Sequence, residues 1–255
     1  MNADTACLLL HGFGGSPFEM EPLLPLLTEL GCTVELPTLP GHDSSIEEFR
    51  RTFFKDWLGY AEKRFHLLSR HHKNVIPIGF SMGGSIALIL AAKYDPIGVV
   101  SLAAPLRLNP SFSCNLRTAW LFFLPLLQYL RPVIPRHPSK PESRAIAPYR
   151  GYEGASYLPQ LYSLAKGLAE LREMLPDIQC PALLMHDTGD RAACPGAALA
   201  IARKTKSQEL TLVYTRIGEQ ITSHHMLTTH RETRDRVATE VHAFVTRVLS
   251  NLHKR

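Results

Sequence analysis

Five residues, Gly79-Phe80-Ser81-Met82-Gly83, constrain this chain more than any other part of it. They follow the apolar run Val75 to Ile78 and lead into the small, apolar Gly84-Ser85-Ile86-Ala87-Leu88. A serine so placed is a G-x-S-x-G elbow, in which a strand turns sharply into a helix and exposes the hydroxyl at the turn. The glycines have a physical reason to be there, because so tight a turn brings neighbouring elements where a Cβ would clash. The same five letters also occur by chance in loops, and the strand before and helix after give them their weight.

The rest of the chain repeats this alternation. Apolar runs at Cys7 to Leu10, Thr33 to Leu36, Val75 to Ile78, Val99 to Leu102, Ala182 to Met185 and Leu210 to Tyr214 read as buried strands. Stretches of helical spacing lie between them, at 17–30, 46–70, 82–94, 196–204 and 230–252. This β, α, β, α order predicts an α/β fold, a mostly parallel sheet with helices on both faces. Ser16 and Glu19 make a candidate capping box for the first helix, although Pro22 and Pro25 interrupt it. The rhythm breaks between Leu106 and Pro176, where seven prolines from Pro110 to Pro148 crowd a segment of aromatics and basic residues. We expect residues 1–105 and 177–255 to form one core domain, with 106–176 inserted above the sheet. Leu161, Leu164, Leu168, Leu171 and Leu175, three and four apart, predict an amphipathic helix in the second half of that insertion.

Composition narrows the partners. At 255 residues, 45% apolar and 20% charged, the chain is an ordinary globular one. Its net charge of +5 is scattered rather than clustered with aromatics, which argues against nucleic acid. Five widely spaced cysteines with no C-x-x-C pair favour neither a disulfide framework nor a zinc site. No secretory leader is visible at the N-terminus, and a cytoplasmic location is the expectation. The apolar stretch from Ala119 to Leu127 falls short of the roughly 20 residues a spanning helix needs.

A serine hydroxyl needs a base to become a nucleophile. In this arrangement the order along the chain is serine, acid, histidine, each just beyond the carboxyl end of a strand. After the last strand, Ser223-His224-His225 offers two adjacent histidines. After the strand Ala182 to Met185, His186-Asp187-Thr188-Gly189-Asp190 offers two aspartates. Asp190 lies past the turn that Gly189 permits, whereas Asp187, at the strand tip, suits an Asx role. The glycine-rich His11-Gly12-Phe13-Gly14-Gly15 follows the first strand and can present a backbone N–H to a developing oxyanion. The main-chain amides of Phe13 and Met82 are the candidate oxyanion hole.

With these pieces in order the chain resembles the carboxylesterase and monoacylglycerol lipase branch of the α/β-hydrolase superfamily. Leu8 to Gly15, Pro40-Gly41-His42, Gly79 to Gly84, Pro96 to Val100, Ala104-Pro105 and Cys180 to Leu184 carry the resemblance. It implies H-G-x-x-D after the penultimate strand, matched by His186 and Asp190, and S-x-H-x-x-T before the last helix, matched by Ser223, His225 and Thr228. His225 is then the base, Asp190 the acid, and His224 stands where the family often has glycine. Asp187 replaces the family's usual glycine after His186. The resemblance also implies about six core parallel strands, since the chain begins at the family's third strand, and a cap over the site between Leu106 and Pro176.

The expected chemistry is hydrolysis of a carboxylic ester through an acyl-enzyme on Ser81, with no cofactor and no metal. Short or medium acyl esters and monoacylglycerols are the implied substrates. The same three residues also serve acyltransferases and thioesterases, and a non-catalytic ligand-binding protein on this fold is the rival from another class. In the cap, Trp120, Phe122, Phe123 and Leu124 either line an acyl pocket, meet a lipid surface or form the cap's own core. Arg131, Arg136, His137, Lys140, Arg144 and Arg150 are expected to form a solvated basic face.

Overall fold

The computed structural model describes residues 4–108 and 119–252. Among these, six strands form one parallel sheet: β1 (Thr5–Leu10), β2 (Thr33–Glu35), β3 (Asn74–Phe80), β4 (Val99–Leu102), β7 (Ala182–Asp187) and β8 (Leu210–Thr215), in the spatial order β2-β1-β3-β4-β7-β8. The expected six strands are thus present, and the sheet is the α/β architecture read from the alternation. Burial on both faces explains the continuous apolar runs. Along β1, Ala6, Leu8 and Leu10 enter one apolar cluster while Cys7 and Leu9 enter the other, the two-residue period of a strand covered on both sides.

Helices α1 (Leu24–Glu29) and α9 (Arg234–Leu252) cover one face; α3 (Phe54–His71), α4 (Met82–Tyr94) and α8 (Gly196–Lys204) cover the other. α4, which starts at the elbow, is buried continuously from Met82 to Ala91. Between β4 and β7 come α5 (Ala119–Leu130), β5 (Val133–Pro135), α6 (Pro141–Ile146), β6 (Ala155–Tyr157) and α7 (Leu158–Met174), with β5 and β6 paired antiparallel. The leucines of α7 lie in the same cluster as Trp57 of α3 and Ile86 of α4, so the second half of the insertion is seated on the core helices.

Several boundaries differ from the sequence reading. The stretch 17–30 is two 3₁₀ turns followed by the short α1, because Pro22 and Pro25 remove backbone donors. The capping box does not form. Ser16 makes no side-chain cap, and Glu19 turns inward to Gly12 instead. The stretch 46–70 is divided into α2 (Ile46–Phe49) and α3, where Asp56 accepts the Phe53 N–H and Gln160 of α7 donates to the Arg50 carbonyl. The last helix begins at Arg234 rather than 230. Residues before it are held in turns, with the Thr233 hydroxyl donating to the Leu227 carbonyl. Pro110 and Cys114 lie outside the described residues, as do the side chains of Trp120 and Phe122.

Candidate active site

At the carboxyl end of β3, Ser81 takes φ 53° and ψ −120°, a conformation costly for a non-glycine residue. The flanking glycines show why the turn needs them. A Cβ on Gly79 would lie 2.0 Å from the Gly83 carbonyl oxygen, and one on Gly83 would lie 2.1 Å from that of Leu10. The Ser81 N–H donates to the Leu102 carbonyl at 2.8 Å, tying the elbow to the end of β4.

The loop after β8 brings His225 to this serine. His225 Nδ1–H donates to Asp190 Oδ2 at 2.7 Å, which leaves Nε2 to accept the Ser81 hydroxyl at 2.9 Å. Asp190 follows the turn after β7 and is fixed on both oxygens. Its Oδ2 also accepts from His186 Nε2 at 3.0 Å, and its Oδ1 accepts the Ala192 and Ala193 N–H groups at 2.7 and 2.9 Å. Burial alone would raise the Asp190 carboxyl, but His225 and His186 together hold it well below the usual carboxylate range. For His225, burial opposes the charged imidazolium, yet the Asp190 carboxylate, with Glu19 behind it, raises it above the ordinary histidine value.

The other residues of the two histidine and aspartate pairs have separate places. Asp187 Oδ1 accepts the Gly189 N–H at 2.8 Å, and its Oδ2 accepts the Thr215 hydroxyl and the Ile217 N–H. It closes the turn and clips β7 to β8. His224 sits at φ 57°, which accounts for glycine at this position in the related pattern. Its Nε2 meets the Glu219 carbonyl, and the histidine bonded to Ser81 is His225.

The turn after β1 lies against the elbow, where a Cβ on Gly12 would come within 3.3 Å of Ser81 Cβ. Gly14 N–H donates to His42 Nε2 at 3.0 Å, and Leu39 N–H donates to His11 Nε2 at 3.0 Å. Burial drives His11 down to about 4 and His42, which also faces His11, to about 3, so both stay neutral and able to accept. Gly15 N–H bonds the Gly12 carbonyl at 3.2 Å. Among the described residues the Phe13 N–H has no acceptor, and neither does that of Met82 in the first turn of α4.

Two carboxylates beside the triad take places that the sequence did not predict: Glu19, expected as half of a capping box, lies under the turn after β1, and Glu219 lies in the loop after β8. Glu219 braces the loop carrying His225: it accepts from the N–H groups of Ile221 and Thr222, from the Thr222 hydroxyl and from His230 Nε2. A glutamate ahead of T-S-H-H at loop spacing was the available signal. Glu219→Ala strands these donors, and we expect a loss of about 1–3 kcal/mol in stability, read as a lower Tm in thermal unfolding.

Above Ser81 lies a cavity of about 280 Å³. Phe13, Phe49, Phe80 and Leu161 give it an apolar side, and Arg136, His137, Arg144, Tyr149 and Tyr152 a polar one. All six members of the expected basic face are exposed, and three of them, Arg136, His137 and Arg144, also border the cavity, with Arg144 paired to Glu153. Leu124 is buried in the core cluster, and Phe123 is exposed. Among the described residues no cluster of metal-ligating side chains is present, and no helix is long and apolar enough to cross a membrane.

Known proteins resemble this chain in sequence and in fold. The thermostable monoacylglycerol lipase of Bacillus sp. (strain H-257) is 32% identical over 213 residues, 83% of this chain and 81% of the lipase. A carboxylesterase of Bacillus subtilis (strain 168) is 32% identical over 107 residues, 42% of this chain and 44% of the esterase. Among solved structures, one from a study of the metagenome-derived lipolytic enzymes LipS and LipT superposes with a TM-score of 0.81 at 21% identity, covering 97% and 95% of the two chains. The monoacylglycerol lipase of Paleococcus ferrophilus gives 0.77 at 16%, over 95% and 94%. Fold, site and relatives together define an ester-hydrolysing enzyme, a carboxylic ester hydrolase. The chain belongs to the alpha/beta hydrolase family, whose profile matches residues 7–240.

Proposed function

We propose that this enzyme cleaves short and medium acyl esters, monoacylglycerols among them, with Ser81 as nucleophile, His225 as base and Asp190 as orienting acid. One observation carries the reading: His225 bridges Asp190 and Ser81 through its two ring nitrogens, at 2.7 and 2.9 Å. As Ser81 Oγ attacks the ester carbonyl, its proton passes to His225 Nε2, and Asp190 stabilises the imidazolium. The carbonyl oxygen takes the negative charge and is met by the N–H groups of Phe13 and Met82. Collapse expels the alcohol, which takes the proton from His225 and leaves an acyl-enzyme. Water then attacks that acyl group by the same route and frees the acid and Ser81.

Substrate size follows from the cavity, which at about 280 Å³ lies just below the roughly 300–1,000 Å³ of ligand pockets. The apolar side suits the acyl chain, and Arg136, His137 and the tyrosines suit a hydroxylated leaving group. We assign residues 106–176 as the cap that shapes this cavity, with α7 as its base. The exposed Phe123, Leu126, Tyr129 and Leu130 of α5 are proposed to meet the lipid surface transiently. If so, the double variant Leu126→Ser, Leu130→Ser loses activity on emulsified monoacylglycerol and keeps it on soluble p-nitrophenyl acetate. The four described cysteines are free, with Cys7, Cys32 and Cys180 buried, and a cytoplasmic setting is part of the proposal.

The deciding experiment is turnover of p-nitrophenyl esters from C2 to C16 beside labelling by a fluorophosphonate. Turnover with the label on Ser81 and a maximum at short or medium chains is expected. Labelling without hydrolysis of any ester would favour acyl transfer instead, and absence of both would remove the catalytic reading.

A further inference from the structure

Glu19 is 1% exposed, yet among the described residues it has no salt-bridge partner. Its Oε2 accepts the Gly12 N–H at 2.7 Å. The carboxyl occupies the inside of the 12–15 turn. A Cβ on Gly15 would stand 2.1 Å from Oε1, and one on Gly12 would stand 3.1 Å from Oε2 on the side facing Ser81. Burying a carboxyl in this way is costly. Desolvation pushes Glu19 up to about 7, against the opposing pull of the Gly12 amide and His225. Nothing in the acyl-transfer steps uses this group.

Its position relative to the other amides of the turn gives it a task. Gly14 N–H goes to His42 and Gly15 N–H to the Gly12 carbonyl, so the Phe13 N–H is the one left for a ligand. The direction of that N–H is set by the peptide plane it shares with the Gly12 carbonyl. His11 Nδ1 and Gly15 N hold the carbonyl from one side, at 3.0 and 3.2 Å. Gly12 has no Cβ to restrict its rotation, so the plane stays put only if the residue is gripped at its other end too. Glu19 supplies that grip.

We propose that Glu19 is the positioning residue of the oxyanion hole, holding Gly12 through its N–H so that the Phe13 amide stays aimed at the oxygen that becomes charged. This rests on the assignment of Phe13 as an oxyanion donor above. A misplaced donor weakens the transition state far more than the ground state.

The test compares Glu19→Gln, whose amide carbonyl still accepts the Gly12 N–H, with Glu19→Met, of similar length and no oxygen, and with Glu19→Ala. Each is measured for kcat and KM on a p-nitrophenyl ester and for inhibition by an alkyl trifluoromethyl ketone, whose serine adduct places an oxyanion in the hole. Glu19→Met and Glu19→Ala are expected to lose about 10- to 100-fold in kcat with KM little changed, and to bind the ketone more weakly by a similar factor. Glu19→Gln is expected to recover most of both. If Glu19→Ala fails to fold, the comparison of Gln with Met carries the test. Two results overturn the inference: a folded Glu19→Met with wild-type kcat and ketone affinity, or a Glu19→Gln as impaired as Glu19→Met, which would make the charge rather than the acceptor the active feature. A wild type that takes no label at Ser81 would instead overturn the serine-hydrolase reading itself.

Discussion

Ser81→Ala is expected to lower kcat on the preferred p-nitrophenyl ester by about 10⁶-fold, the scale seen when the nucleophile of a serine hydrolase is removed. The loss is specific to chemistry. Alanine carries the same Cβ as serine at φ 53°, so the elbow keeps its shape, and the Phe13 and Met82 amides proposed to meet the carbonyl stay in place. Substrate affinity and Tm therefore stay close to wild type while fluorophosphonate labelling disappears. Turnover within tenfold of wild type would refute the assignment of Ser81.

For Asp190→Asn the expected fall in kcat is about 10⁴-fold, as for the equivalent exchange in serine proteases. Both oxygens of Asp190 accept hydrogen bonds, Oδ1 from the Ala192 and Ala193 amides and Oδ2 from His225 and His186. An asparagine amide must aim its NH₂ at one of these pairs of donors. If its oxygen stays with the two amides, the NH₂ faces His225 Nδ1, and the ring takes its proton on Nε2, where it can no longer accept from Ser81. The pH profile follows with a definite sign. The base works unprotonated, so kcat/KM falls as pH drops through the His225 value. Asp190 and Glu19 raise that value, so the wild-type acid limb is expected above the ordinary histidine value of about 6.5. In Asp190→Asn the limb moves to lower pH. An unshifted limb in the residual activity would mean that another group sets it.

Much of the sheet was legible because its six strands are buried on both faces, and a run such as Ala6 to Leu10 has no other use. The elbow was legible for a related reason: Gly79 and Gly83 meet backbone atoms that no rearrangement of side chains can move aside. Helix boundaries were less so. The division of 46–70 depends on Gln160 and Ser163 of α7, more than 100 residues away, which satisfy the backbone at Arg50 and Phe54. Glu19 shows how local pattern misleads. S-x-x-E beside a proline is the spelling of a capping box, but a 3₁₀ turn leaves the glutamate facing the turn before it, and Gly12 and Gly15 leave it room. No periodicity in the sequence announces the three-residue strands β5 and β6, between which Arg136, His137 and Arg144 border the cavity.

The Gly14 carbonyl accepts from the Tyr149 hydroxyl at 2.9 Å and from the Tyr152 N–H at 2.7 Å, and the Tyr152 hydroxyl reaches the Gly41 carbonyl at 2.8 Å. The segment that walls the pocket is thus also stitched to the turn that presents Phe13. For protein engineering this makes the insertion a poor interchangeable part. A chimaera that grafts a relative's segment between β4 and β7 to change acyl preference removes two tethers of the turn after β1 along with the wall, and a graft that retains Tyr149 and Tyr152 at their present spacing keeps the two properties separable.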